Sequence, residues 1–379
     1  MRTKLFTLAA LLLTPLAAIC GGAEATLPAK PDASSKKTQN FLFIGNSFTM
    51  RHSLPTLFAM LAQEGFPGST VETEILGYGG KNLFQHWELY RSYNRLNLSG
   101  RKESDLQNDI NELTKLGESK EEPDFYTAFW QDLSGNAFYQ KFTPKTKNDW
   151  EADRGGIRQA VTRHKTWRSQ RTTAPAHKFD FVVLQSWLDV TDDPGTGCFK
   201  YAAKFSDVAK ASGARPVLYL TASYAHNAMP VTQAVARERA IGECRAALAF
   251  SKTNGAIVVP VPLAITLAQE STEPVARTLT FRYKNDMHPN QTMAYLTACT
   301  FYAAVFGKPP EGLLFNQVAE NKAQNIHGEV VRTDANTQAL SSLVNPDGGP
   351  LEKVFTDEER LFLQRTAWRA VKAFRKGEF

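Results

Sequence analysis

The sequence Phe41-Leu42-Phe43-Ile44-Gly45-Asn46-Ser47-Phe48-Thr49 contains an apolar run that leads directly into a turn. Four consecutive apolar residues predict a strand buried on both faces, as in parallel sheets. Gly, Asn and Ser favour a turn because Gly tolerates positive φ and the other two side chains bond nearby backbone. Apolar residues then recur at helical spacing up to Gly65. Ser47 is therefore predicted at the carboxyl end of a strand, where open α/β sheets bind their ligands.

Ser47 has two interpretations at this position. A serine beside a helix start commonly caps the helix by accepting a hydrogen bond from an unpaired N–H group. The same place would also present its hydroxyl to a ligand at the sheet edge. Taken alone, the stretch leaves both interpretations open and favours the cap.

Further strands and helices alternate along the rest of the chain. Strand patterns cover 69–76, 179–184, 216–220 and 256–261, and helical patterns cover 200–211, 231–250 and 293–306. Such alternation indicates a parallel sheet with right-handed crossovers. The predicted fold class is α/β, a three-layer α/β/α sandwich with a mostly parallel, flavodoxin-like sheet.

The amino-terminal segment is typical of an exported protein. Residues 1–25 place Arg2 and Lys4 before a short apolar run that ends near the small-residue site Ala23-Glu24-Ala25. This pattern predicts a secretory signal peptide and a mature protein that is secreted or periplasmic. Cys20 allows a lipoprotein alternative, which Ile19 disfavours because lipid attachment requires a small residue at that place.

The remaining segments have different compositions. Residues 26–40 are rich in Pro, Lys, Ser and Ala and predict a flexible leader. A main domain is predicted over 41–306, with a helical insertion at about 98–178 and a C-terminal extension, 307–379, packed on the domain. Aromatic residues in the insertion could contact a ligand, although such residues more often form a small core of their own. They are Phe125, Tyr126, Phe129, Trp130, Phe138, Tyr139, Phe142 and Trp150.

Composition disfavours several classes of partner. The formal net charge is +6, but lysines and arginines are scattered and no nucleic-acid motif is present. No stretch is long and apolar enough to predict stable membrane insertion. Cys198, Cys244 and Cys299 are too scattered for a metal site, and buried free thiols are favoured over a disulfide. The histidines show no ligand spacing, so neither metal nor cofactor is predicted.

Ser47, Gly80, Gln185 and His288 follow successive predicted elements in that order. This arrangement resembles the SGNH (GDSL-like) hydrolase superfamily over about 41–306, omitting the insertion. The serine block matches Gly45-Asn46-Ser47, the glycine block matches Gly79-Gly80-Lys81-Asn82-Leu83, and the histidine block matches His288-Pro289. Gln185 stands where most members have Asn, as in a secreted, bacterial-type subgroup.

The resemblance implies a role for each residue. Ser47 would be the nucleophile, activated when the imidazole of His288 removes its proton. The backbone N–H groups of Ser47 and Gly80 and the side-chain amide of Gln185 would stabilise the oxyanion. Trp187, beside Gln185, would line the substrate pocket, although a core position is also open.

The chain departs from the family at the acid. Members carry an acid three residues before the histidine, where this sequence has Asn285, while Asp286 lies two residues before it. Asp286 could hold the ring of His288, Asn285 could orient it without a charge, or the site could be weakened. We favour Asp286.

Three functions are compatible with these residues. The favoured one is a secreted serine esterase that hydrolyses acyl esters through an acyl-serine intermediate. Acetyl esters of extracellular polysaccharides are one substrate class, and lipids or simple esters are the alternative. The second function is a weak or inactive SGNH-like glycan-binding protein. A nucleotide-binding protein is disfavoured because no Gly-x-Gly-x-x-Gly follows the first strand. The oligomeric state stays open.

Overall fold

The computed structural model describes residues 38–143, 149–171, 178–222, 224, 232–284, 286–321, 323–324, 330–331 and 343–379. A five-stranded parallel sheet forms its centre, in the strand order β2-β1-β3-β4-β5. All five predicted strands are present, and the fold prediction is confirmed. The strands are β1 Thr38–Gly45, β2 Thr70–Gly77, β3 Phe181–Gln185, β4 Arg215–Leu220 and β5 Ile257–Pro260.

The first strand begins earlier than predicted. Thr38–Asn40 were expected in the flexible leader, but they extend β1 and pair with Thr70–Glu72 of β2. The N–H of Asn40 also donates to the carboxylate of Asp180 at 2.9 Å. Backbone pairing with the next strand orders these residues despite their polar composition.

Helices cover both faces of the sheet. Right-handed crossovers place the helix between β1 and β2 on one face and the helices between β3, β4 and β5 on the other. The helices are α1 Ser47–Met50, α2 Leu54–Gly65, α3 Glu103–Glu118, α4 Asp124–Gly135, α5 Ala137–Phe142, α6 Trp150–Gln170, α7 Gly197–Ala211, α8 Gln233–Asn254, α9 Val261–Gln269, α10 Gln291–Phe306 and α11 Asp357–Lys376. None of those in the described ranges is long and apolar enough to cross a membrane.

The core is continuous between the sheet and the helix α10. Every residue of α10 is buried. The ring of Phe301 lies 5.8 Å from Phe43, 5.7 Å from Phe58 and 5.1 Å from Tyr219, measured between centroids. Helix α10 therefore joins α2 to the strands β1 and β4, and fixes the sheet beneath the turn that follows β1.

The inserted segment, as far as it is described, consists of α3 to α6 and irregular turns. Its aromatic rings pack with one another and with the rest of the domain. Phe84 stacks on Phe129 at 3.9 Å and meets Tyr201 of α7 at 5.4 Å, while Tyr126 packs against Trp150 at 5.2 Å. The insertion therefore forms a wall on the α7 side of the sheet.

Short strands complete the chain after β5. They are β6 Arg282–Tyr283, β7 Asp286–Pro289, β8 Gln317–Ala319, β9 Ala323–Gln324, β10 Val330–Val331 and β11 Glu352–Val354. Strands β6 and β7 form an antiparallel hairpin, and β8 pairs with β11. The terminal helix α11 packs on α10, where the amide of Gln364 donates to the hydroxyl of Tyr295 at 2.9 Å. Cys198, Cys244 and Cys299 are buried and unpaired.

Candidate active site

Asn46 fixes the turn between β1 and α1. Its side-chain oxygen accepts from the N–H of Phe48 at 3.0 Å, so Asn46 caps α1. Its amide nitrogen donates to the carbonyl of Lys81 at 2.8 Å, in the turn that follows β2. Because Asn46 takes the capping role, the hydroxyl of Ser47 at the first helical position is available for another bond.

That bond joins Ser47 to His288. The Oγ atom of Ser47 lies 2.8 Å from Nε2 of His288, on the hairpin strand β7. The other ring nitrogen, Nδ1, contacts a carboxylate oxygen of Asp286. An ionised carboxylate only accepts hydrogen bonds, so the proton lies on Nδ1 and Nε2 accepts from the serine. Ser47, His288 and Asp286 thus form a hydrogen-bonded chain in the order found in Ser-His-Asp catalytic triads.

The backbone of β7 explains how an acid two residues before the histidine can reach it. In an extended strand, residues i and i+2 project to the same face. Asp286 and His288 are such a pair, and Oδ1 of Asp286 also accepts the N–H of His288 at 2.9 Å. Asn285 lies outside the described residues. Asp286 therefore contacts the ring as favoured from the sequence.

Arg51 adds positive charge beside the acid. Its Nη1 lies 3.4 Å from Oδ2 of Asp286, and its guanidinium forms two bonds with Glu320, at 2.7 and 2.9 Å. Burial opposes ionisation of Asp286, but its hydrogen bonds with His288 and the charge of Arg51 outweigh that effect. They hold the pKa of Asp286 well below its usual value. The acid is therefore ionised at neutral pH.

Two backbone donors lie near the serine. The N–H groups of Ser47 and Gly80 have no acceptor within hydrogen-bond distance in the ranges that the structure describes. Gly80 has φ +69°, which a residue with a side chain rarely adopts. Its carbonyl accepts from Nε1 of Trp187 at 3.0 Å, which fixes the orientation of the glycine turn.

Gln185 has a different task from the expected one. Its side chain is fully buried. Its Oε1 accepts from the N–H of Asn46 at 2.8 Å and the hydroxyl of Thr49 at 3.0 Å, and its Nε2 donates to the carbonyl of Ser186 at 2.8 Å. This arrangement supports the serine turn and does not support the oxyanion role.

The same contact explains Gly45. A Cβ added there would lie 2.5 Å from Oε1 of Gln185, closer than packing permits. Glycine at this place therefore lets the amide of Gln185 approach the turn that carries Ser47.

Trp187 lies where the sequence placed it. Its ring packs 5.8 Å from that of Phe48, and Phe48 lies 5.6 Å from His288. Trp187 also lines a cavity next to the glycine turn. It is half-buried, so it belongs to the wall of the site and not to the core.

Asn82 is a polar residue that sequence reasoning did not single out. Its Oδ1 accepts from the N–H of Gln85 at 3.1 Å, which fixes the orientation of the amide. Its Nδ2 has no acceptor among the described residues, and the side chain lines the same cavity as Gly80. The sequence feature that could have identified Asn82 is its position two residues after Gly80.

The other described histidines have structural partners. His86 is buried between the carbonyl of Gly45 and the hydroxyl of Ser92, both at 2.9 Å. Burial lowers the pKa of His86 to about 3, so its ring is neutral. His52 and His164 also contact backbone carbonyls. The described residues contain no group of side chains suited to hold a metal ion. His177, His226 and His327 lie outside them.

Comparison with known proteins finds no matching family model, no matching curated protein and no matching solved structure. A functional proposal therefore depends on the geometry of these residues.

Proposed function

We propose that the protein is an SGNH-type serine esterase that hydrolyses acyl esters through an acyl-serine intermediate. The observation that carries the proposal is the 2.8 Å contact between Ser47 and His288, whose other nitrogen contacts Asp286. A serine hydroxyl becomes a strong nucleophile when an adjacent base removes its proton. No cofactor is needed for this chemistry.

Acylation would proceed as follows. Ser47 Oγ attacks the ester carbonyl while Nε2 of His288 takes the hydroxyl proton. Asp286 stabilises the resulting imidazolium by its negative charge. The carbonyl oxygen becomes an oxyanion, for which the N–H groups of Ser47 and Gly80 are the proposed donors. When the bond to the alcohol oxygen breaks, His288 returns its proton to the leaving alcohol.

Deacylation repeats the same proton transfers with water. His288 takes a proton from water, the hydroxide oxygen bonds to the acyl carbon, and the bond to Ser47 breaks. The proton on His288 returns to the serine oxygen and the acid is released. Together with the signal-peptide pattern of residues 1–25, this chemistry supports an exported esterase acting on extracellular esters.

The complete triad favours an active esterase over an inactive glycan-binding protein. An inactive member would need no charged partner for His288, yet Asp286 contacts the ring and is itself held by Arg51. Titratable groups that orient one another in this way are a feature of catalytic sites.

Replacement of Ser47 tests the proposal. Ser47→Ala is expected to lower kcat for p-nitrophenyl acetate by about a thousandfold or more, because no other atom can form the acyl intermediate. Ser169→Ala, at an exposed position on α6, is the matched control and should keep the parent rate. A fluorophosphonate probe should label Ser47 in the parent protein. Turnover at the parent rate by a folded Ser47→Ala protein would exclude the mechanism.

A further inference from the structure

A cavity of about 190 Å³ lies beside the glycine turn. Gly80 and Trp187 belong to its wall and also to the cluster around Ser47, since Trp187 packs on Phe48 and bonds Gly80. Sites for drug-sized ligands have volumes of roughly 300–1,000 Å³. This cavity is smaller and suits a ligand of about one six-membered ring.

Aromatic side chains form much of the cavity wall. Trp187 comes from the loop after β3, and the other three come from the insertion: Tyr126, Trp130 and Tyr139. The hydroxyl of Tyr126 donates to Asp153 at 2.6 Å, which fixes that ring. Flat aromatic faces bind the apolar faces of cyclic ligands and leave their polar edges free for hydrogen bonds.

A buried carboxylate with an unused oxygen also lines the cavity. Asp189 is 1% exposed. Its Oδ1 accepts from the hydroxyl of Ser186 at 2.6 Å, while Oδ2 has no hydrogen-bond partner among the described residues. A buried polar atom without a partner is costly and is commonly explained by a ligand or water. Oδ2 of Asp189 is therefore an unused acceptor in a residue of the cavity wall, and a ligand donor that reached it would satisfy it.

The backbone next to Asp189 is strained. Leu188 has φ +64°, a conformation that is rare for a branched residue. The hydroxyl of Thr143, just after α5 in the insertion, donates to the carbonyl of Leu188 at 3.1 Å and helps to hold it. Strain of this kind concentrates at ligand clamps, where surrounding contacts maintain it.

The charges of the wall select against anions. Carboxyl groups of Asp149, Asp153 and Asp189 line the cavity, and burial raises the pKa of Asp189 to about 7, so that group carries only part of its negative charge at neutral pH. The one lysine among the lining residues, Lys81, is paired with Asp153 at 2.6 Å. An anionic ligand would meet unbalanced negative charge, whereas hydroxyl groups can donate to the carboxylates.

We propose that this cavity binds one neutral sugar ring, as the alcohol part of the ester. The assignment of that ring as the leaving group rests on the proposed esterase function, because it depends on Gly80 and Ser47 facing the scissile bond. The aromatic wall supplies stacking surfaces, and Asp189 accepts a sugar hydroxyl. The insertion thereby sets the specificity of the site.

Direct binding tests the cavity without turnover. We would titrate the Ser47→Ala protein with methyl β-D-glucopyranoside and methyl β-D-xylopyranoside, followed by saturation-transfer-difference NMR. A ligand of this size should bind with a Kd of about a millimolar. Asp189→Ala and Trp130→Ala should each weaken binding by at least about tenfold. Trp368→Ala, at a half-buried tryptophan on α11, should leave the Kd unchanged.

Two further probes make the result decisive. Sodium galacturonate should bind at least about tenfold more weakly than the neutral glycosides, because of the carboxylates. Sodium hexanoate should not compete with the glycosides. Because Asp189→Ala can unfold the loop, Asp189→Asn provides a variant of the same size, with a thermal melt as a folding check.

The outcomes separate the two proposals. Absence of glycoside binding, or binding of hexanoate in place of the glycosides, would overturn the sugar site. Glycoside binding that depends on Asp189 supports the site even if the parent protein hydrolyses no ester, and in that event only the esterase function fails.

Discussion

The hydroxyl of Ser47 is available to contact His288 because the preceding residue, Asn46, caps α1. From the sequence, either a cap or a nucleophile was possible at this turn, and the type of residue favoured the cap. The structure assigns the cap to Asn46, whose side chain reaches both α1 and the turn after β2. Only the three-dimensional arrangement of the two turns distinguishes these roles, because both residues have side chains suited to capping.

Asp286→Asn is expected to lower kcat for p-nitrophenyl acetate by about ten-thousandfold. The amide cannot stabilise the imidazolium and can favour the wrong ring tautomer. Steady-state kinetics at neutral pH provide the measurement, with circular dichroism to establish folding. Asn285→Asp is the neighbouring control and should stay near the parent rate. A mild effect at Asp286 together with a faster Asn285→Asp protein would assign the ring contact to residue 285 instead.

Gln185→Ala is expected to lower the free energy of unfolding. Asn82→Asp is expected to lower kcat. The first change leaves the N–H of Asn46 and the hydroxyl of Thr49 without their acceptor, which should cost about 3 kcal/mol of unfolding free energy. Asn82→Asp keeps the acceptor for Gln85 but removes the amide donor, so kcat should fall by about a hundredfold if that amide faces the oxyanion.

Urea unfolding and steady-state kinetics distinguish these effects. A stable Gln185→Ala protein with a selective loss of kcat would restore the oxyanion role to Gln185. An Asn82→Asp protein with the parent kcat would show that the amide of Asn82 does not donate to the oxyanion. KM is informative in both cases, because an oxyanion donor acts mainly when charge develops.

At the scale of elements, the C-terminal extension braces the hairpin that carries His288. Glu320, just after β8, bonds the guanidinium of Arg51, which in turn lies beside Asp286 on β7. The hydroxyl of Tyr283, on β6, also donates to the carboxylate of Glu320. The extension therefore supports the candidate site through a buried ion pair and does more than cover α10.

Glu320→Gln is expected to lower the free energy of unfolding by about 3 kcal/mol or more. The introduced amide would leave the buried charge of Arg51 with less compensation. Glu238→Gln, which breaks the exposed ion pair with Lys141, should change the free energy of unfolding by less than about 1 kcal/mol. Urea titration of both variants gives the comparison. Equal effects would mean that the buried pair contributes no more than a surface pair.

The five strands of the sheet were predictable from local properties, because four of them contain an apolar run and β2 has an alternating pattern that ends in a glycine turn. The pairing of Ser47 with His288 was suggested by the resemblance. The rule that parallel strands share one carboxyl edge accounts only for Ser47, because Asp286 and His288 lie on the antiparallel hairpin of β6 and β7. The hydrogen-bond partners of Gln185 were not predictable, because its side-chain amide could turn toward the substrate or toward the backbone. Arg51 and Glu320 are 269 positions apart, and no local pattern connects them.

At the scale of the whole molecule, the pH dependence of stability has a contribution from His86. Its pKa falls from 6.5 in the unfolded chain to about 3 in the folded protein, because burial disfavours the charged ring. The unfolded state therefore binds more protons between these values. This contribution to stability is fully present above about pH 6.5 and decreases as the pH falls toward about 3.

His86→Gln should reduce this dependence. Between pH 6.5 and 5, the parent protein should lose about 2 kcal/mol more unfolding free energy than the variant. A glutamine amide can still donate to the carbonyl of Gly45. Urea unfolding at several pH values measures both slopes. Only the difference between the two slopes reports on His86. The carboxyl groups of Asp189 and Glu243 have pKa values raised to about 7, and they change the stability in the opposite direction in both proteins. Parallel slopes would show that His86 does not titrate in this way.

The three unpaired thiols of the described residues can report when the interior of the folded protein opens. Cys198 on α7 and Cys244 on α8 lie on one face of the sheet, and Cys299 on α10 lies on the other. A thiol reagent in solution can reach each one only when the surrounding layer separates from the sheet. The relative rates of alkylation would thus rank the two faces by how often each exposes its interior, without any introduced label.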